Sequence, residues 1–201
     1  MTSMSSSFFV VDRHHRYYSA PVGAESDPPG DLLGGWVGIC EVLGESATAT
    51  VSIIITRAYP TGVEFMVEGR VTPGSGYDAA AYLDFYKDDA ADIPDERPPD
   101  ELLRIGLEYP SGGRMSTLPW SVQQASPDAL VPLLWFTSGS ASSKVFTADF
   151  WVSPLPTPGH LKFVIEWPLM DIPEQVRLIP CASILEAAGR ARPLGQPPDA
   201  R

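Results

Sequence analysis

Between Asp84 and Glu101 the chain concentrates its acids: Asp84, Asp88, Asp89, Asp92, Asp95, Glu96, Asp100 and Glu101, with Pro94, Pro98 and Pro99 among them. Carboxylates at this density can hold a divalent cation, work as an acid and base pair, or attract a basic partner. The run lacks the D-x-[DN]-x-[DN]-G spacing and closing Glu of an EF-hand loop. Its plainer reading is a long solvated loop, with Asp88, Asp89, Asp92 and Asp95 as candidate partner contacts. His14 and His15 are adjacent, and strand neighbours point to opposite sides, so they do not share one ion. His160 follows Pro158-Gly159 alone, and no H-E-x-x-H occurs. Ser138-Gly139-Ser140-Ala141-Ser142 does not fit the G-x-S-x-G elbow of a serine hydrolase and reads as a flexible hairpin loop. No G-x-G-x-x-G and no G-x-x-x-x-G-K-[ST] is present. No catalytic, cofactor-binding or metal-ligating residue is assigned, and no cofactor is expected.

The most idiosyncratic segment is Ser153-Pro154-Leu155-Pro156-Thr157-Pro158-Gly159. Alternating prolines favour polyproline II geometry, which an aromatic groove on a partner can read, so Pro154 and Pro156 are candidate partner contacts. The plainer reading is a rigid connection between two aromatic-rich strands.

The elements that would position these groups are strands. Side chains in Val63 to Val71 alternate, with Val63, Phe65, Val67 and Val71 facing a core, Glu64, Glu68 and Arg70 facing water, and Met66 the exception. Ala47 to Arg57 places Ala47, Ala49, Val51, Ile53 and Ile55 on one face and Thr48, Thr50, Ser52 and Thr56 on the other. Tyr59-Pro60-Thr61-Gly62 joins the two runs as a hairpin turn. Further strands are expected at Trp36 to Leu43, Leu103 to Tyr109, Leu133 to Thr137, Val145 to Val152, Leu161 to Trp167 and Gln175 to Ile179. Pro110-Ser111-Gly112-Gly113 returns the chain through Met115 to Leu118. In Val145 to Val152, Asp149 falls with Thr147 and Trp151 opposite Phe146, Ala148, Phe150 and Val152, so it is expected to be exposed. Ser183-Ile184-Leu185-Glu186 fits a capping box opening a short helix to about Arg190, with Ile184, Leu185 and Ala188 as its apolar stripe. Ala79 to Tyr86 has room for a helical turn. Short strands broken by Gly and Pro clusters give an all-β fold, an antiparallel sandwich of about seven to nine strands with a short C-terminal helix.

Three segments are expected: an extended or partly disordered arm over 1–35, able to add an edge strand through Phe8 to Val11, a single sandwich domain over 36–191, and a disordered tail over 192–201. The 201 residues carry a net charge of −11. Nucleic acid and anionic membranes are therefore unexpected as partners, because affinity for phosphate rests on Lys and Arg. No apolar run approaches a membrane span and no secretory signal is visible, which places the protein in the cytoplasm. Cys40 and Cys181 are expected as buried free thiols.

Phe150-Trp151-Val152-Ser153-Pro154-Leu155-Pro156-Thr157-Pro158-Gly159, continuing to Phe163-Val164-Ile165-Glu166-Trp167-Pro168 and Ile172-Pro173-Glu174, resembles a motif of uncharacterised actinobacterial proteins. Ala187-Ala188-Gly189-Arg190-Ala191 is similar to their ends. The resemblance covers mainly the last third of the chain and implies no activity, cofactor or functional residue. A non-enzymatic binding or assembly module, with another protein as partner, ranks first. An enzyme using carboxylates of residues 84–101 is second, and a small-ligand carrier is third. The oligomeric state is left open.

Overall fold

The computed structural model describes residues 8–9, 27–82, 99–118 and 132–195. In chain order the strands are β1 (Leu32–Leu33), β2 (Gly35–Trp36), β3 (Glu41–Glu45), β4 (Ala49–Tyr59), β5 (Gly62–Val71), β6 (Arg104–Glu108), β7 (Arg114–Ser116), β8 (Leu133–Ala141), β9 (Val145–Ser153), β10 (His160–Trp167), β11 (Ile172–Pro180) and β12 (Arg192–Pro193), with a short C-terminal helix, α1 (Cys181–Ala188). One sheet runs β2-β4-β5-β9-β8 with β3 also paired to β4, a second runs β11-β10-β6-β7, and β1 pairs β12. All pairs are antiparallel. The fold is an antiparallel β-sandwich with a short C-terminal helix.

Apolar residues at every second position build the layer between the two larger sheets. From one side come Val51, Ile53, Val63, Phe65, Val67, Phe146, Ala148, Phe150 and Val152, and from the other Ile105, Leu107, Leu161, Phe163, Ile165 and Trp167. Phe65 and Phe163 meet edge to face at 5.0 Å. Helix α1 adds Cys181, Ile184, Ala187 and Ala188 to this core.

Several expectations shift, each for a backbone reason. In β4 the pairing steps from Ile53↔Val67 to Ile55↔Met66, so Ile54 is an extra residue, a β-bulge. The bulge turns the alternation over: Ile55 leaves the core face, and Thr56, expected in water, is 1% exposed. The run Trp36 to Leu43 is two short strands. The Val37 amide still donates to Thr56, but the Ile39 amide turns back to Val37, and β3 resumes one residue out of step. Ser138-Gly139-Ser140-Ala141, expected as a loop, is the second half of β8 and pairs Asp149 to Phe146. The turn is Ser142 to Lys144, closed by the Ser142 amide on the Val145 carbonyl at 2.8 Å. The helix starts before the expected capping box: β11 runs into it through Pro180, and the Ser183 hydroxyl donates back to the Pro180 carbonyl at 3.2 Å.

Leu32–Leu33, expected in the arm, and Arg192–Pro193, expected in the tail, pair with each other. Phe8, expected to lengthen a sheet edge, lies across a sheet instead: a Cβ on Gly106 would sit 2.1 Å from its ring. The Arg114 guanidinium and Lys162 ammonium stand 5.4 and 6.0 Å from the ring centroid, and the Phe8 amide donates to Glu174 at 2.8 Å. Phe9 and Val164, the register partner of Gly106, are buried. Cys40 is exposed, against expectation, while Cys181 is buried and its thiol pKa is pushed up by desolvation.

Candidate functional site

Strand register builds one continuous feature on the outer face of the six-stranded sheet. Trp36 pairs Arg57, Arg57 pairs Glu64, Glu64 pairs Trp151 and Trp151 pairs Trp135, a row crossing all five strands of the path. The row starts and ends on exposed indoles, Trp36 at 62% and Trp135 at 43%. With strands about 4.8 Å apart, the two indoles stand roughly 19 Å from each other. Between them Arg57 Nε lies 2.9 Å from Glu64 Oε2 and Nη2 donates to Oε1 at 3.1 Å, an ion pair in which only the second contact is well aligned for hydrogen bonding. The guanidinium also sits 5.9 Å from the Trp36 ring centroid, within cation–π reach.

Trp151 faces outward by alternation yet is fully buried. Its indole lies over Gly62, where a Cβ would approach it to 2.6 Å, and Tyr59 meets it edge to face at 5.7 Å. Leu133 belongs to the same cluster and Leu32 packs against it, so a small second core lies on this face. It removes water from one flank of Glu64. Desolvation accordingly raises the Glu64 pKa; Arg57 opposes the rise, and nearby Asp149 adds to it. Asp149, expected in the open, is half-buried: Ser138 donates to its Oδ2, while Oδ1 is shielded from solvent and has no hydrogen-bond partner. The face thus offers two indoles, a desolvated carboxylate in an ion pair, and a second carboxylate with acceptor capacity to spare.

Asp88, Asp89, Asp92 and Asp95 fall outside the described residues. Of their run, Asp100 stands 3.5 Å from the buried Arg104, which also pairs with Glu166, and the Glu101 carbonyl accepts from Trp167 Nε1 at 2.9 Å. Pro156 is buried and Pro154 half-buried after a cis Ser153–Pro154 bond, and the Pro154 carbonyl accepts the Tyr109 hydroxyl. Pro156 therefore has no surface to present, while Thr157, Pro158 and Gly159, which lead into β10, are exposed. Of these candidates, the described Pro154 and Pro156 do not belong to the Trp36–Trp135 row. Alternation could flag Glu64 and Asp149 as outward; only register across five strands sets the two indoles and Glu64 in one line, with Asp149 two residues along β9 from its Trp151.

Among the described residues, no group of three or more His, Cys, Asp or Glu side chains is placed to hold a metal ion, and no helix is long and apolar enough to cross a membrane. Compared with protein-family models, curated proteins and solved structures, the chain matches none.

Proposed function

We propose that this chain is a non-enzymatic binding module whose working surface is the outer face of the six-stranded sheet, and that its ligand is a basic segment of another protein. The row from Trp36 through Arg57, Glu64 and Trp151 to Trp135 carries the reading. Exposed tryptophans at both ends offer large, rigid contact area and cation–π faces, the chemistry enriched at binding hot spots. Asp149, close enough to raise the Glu64 pKa, adds a second negative charge to this face and so favours a basic ligand. The net charge of −11 speeds encounter with a basic partner and disfavours nucleic acid and anionic membrane. A cytoplasmic setting and kinship with the actinobacterial proteins sharing the 150–174 motif belong to the same proposal. An enzyme ranks second because Glu64, the carboxylate with the raised pKa, is occupied by Arg57 on an open sheet face.

The test is fluorescence anisotropy with a labelled arginine-rich peptide and a neutral peptide of equal length. Wild type is expected to bind the basic peptide selectively, with Trp36→Ala and Asp149→Asn each weakening binding about ten-fold, ~1.4 kcal/mol. Equal binding of both peptides, or unchanged affinity in both variants, would sink the reading.

A further inference from the structure

The outer face of the four-stranded sheet holds a built site that the basic-peptide reading does not use. Its floor is Gly106 on β6 beside its register partner Val164 on β10, and Val176 on β11 continues the row. The next row is Leu178, Lys162, Glu108 and Arg114. Glu108 pairs with Arg114 at 2.9 Å and with Lys162 at 3.4 Å, which holds both cations beside the notch over Gly106. The Phe8 ring fills that notch within cation–π reach of the two. The Glu174 carboxylate accepts the Phe8 amide at 2.8 Å, so the site engages backbone as well as ring. Phe9, edge to face with Phe8 at 5.3 Å, is buried, and Val164 is fully buried.

These groups recognise adjacent aromatic rings and a backbone N–H, and residues 8–9 supply them from a distant part of the same chain. Beside the filled notch the same face stays apolar and open: Val176 is 41% exposed and Leu178 61%. The apolar surface is thus longer than the part that Phe8 and Phe9 cover.

We propose that this face is a docking site for an extended, aromatic-bearing segment of a partner protein, and that Phe8–Phe9 occupies it as an internal competitor. The partner segment sets its rings where Phe8 and Phe9 sit and lays further apolar side chains on Val176 and Leu178. Covalent attachment gives the competitor a high effective concentration, and the added contact is what lets a partner displace it. A second copy is the poorer occupant, because it brings the same two rings and two chains of −11 repel. The inference does not rest on the basic-peptide reading, which concerns the outer face of the other sheet.

The probe is a fluorescein-labelled peptide, Ser-Phe-Phe-Val-Val-Thr-Leu, with Ser-Ala-Ala-Val-Val-Thr-Leu as control, followed by anisotropy on the full chain. Wild type is expected to bind the aromatic peptide and not the control. Phe8→Ser/Phe9→Ser, which removes the competitor, is expected to bind it about ten-fold tighter or more. In that background Gly106→Ala fills the notch and Leu178→Ser removes the neighbouring apolar contact, and each should weaken binding about five-fold or more. Circular dichroism establishes that each variant folds. On wild type, saturating peptide should speed proteolytic cleavage near Phe8–Phe9, a readout that decides the matter even if the double variant does not fold. A folded double variant that binds no tighter than wild type overturns the proposal, as does binding that Gly106→Ala or Leu178→Ser leaves unchanged. A digestion pattern unaltered by saturating peptide overturns it too. Sedimentation velocity covers the remaining case: wild-type self-association that Phe8→Ser/Phe9→Ser abolishes would make a second copy the occupant and overturn the choice of partner.

Discussion

Thr56 shows how much one inserted residue changes. The bulge in β4 carries its side chain into the core, where the hydroxyl oxygen is buried without a hydrogen-bond partner. An unsatisfied buried hydroxyl costs about 1–3 kcal/mol, so the near-isosteric Thr56→Val is expected to stabilise the fold by ~1 kcal/mol in urea unfolding; destabilisation would mean that the hydroxyl has a partner. Glu64 is the second residue whose setting contradicts its type. Burial raises its pKa above the usual carboxylate value, so the folded state holds a proton that the unfolded chain releases. The associated stability is full below the unfolded pKa and is lost as pH rises through the raised folded value. Asp149 contributes to the rise, so Asp149→Asn should lower the Glu64 pKa, as followed by carboxyl carbon chemical shift against pH. An unchanged or higher pKa would remove Asp149 from the account. Tyr77 shows the same physics at the root of the acidic run: burial first, then Glu101 and Asp78, push its hydroxyl up to about 12.

At the scale of elements, alternation located the strands, and the interruptions of alternation decided what each face presents. Val63 to Val71 keeps its period throughout, and its core face is Val63, Phe65, Val67 and Val71 as read from sequence. Ala47 to Arg57 does not, because a bulge leaves no mark in a run of β-branched residues where either parity is apolar. Loop and strand were confused at Ser138 to Ala141 because Gly and Ser favour turns locally, while nine residues of pairing with β9 override that preference. The Phe8 contact is another element that no local pattern marks. Gly106→Ala would drive a methyl into the Phe8 ring, which must move off the sheet. Limited proteolysis should then cut near Phe8–Phe9 sooner than in wild type, with little change in the unfolding midpoint of the sandwich. An unaltered digestion pattern would show that Phe8 is not held there by the glycine notch.

For the whole molecule, the net charge of −11 bears on the proposed encounter with a basic segment. Salt screens the attraction between a chain of −11 and a basic peptide, so added salt is expected to weaken that binding. Anisotropy titrations at rising salt check this; affinity that does not fall with salt would mean that the contact is not electrostatic. By itself the sequence determined the class of fold, because period-two burial, turn residues and length leave a β-sandwich as the economical way to bury these side chains. It also determined the acidic charge. Only the tertiary structure decided that Trp36 and Trp135 close one row and that Trp151 is buried on an outward face. The reason is physical: pattern along a strand is local, whereas register between strands is set by turns, bulges and packing contacts between residues far apart in the chain.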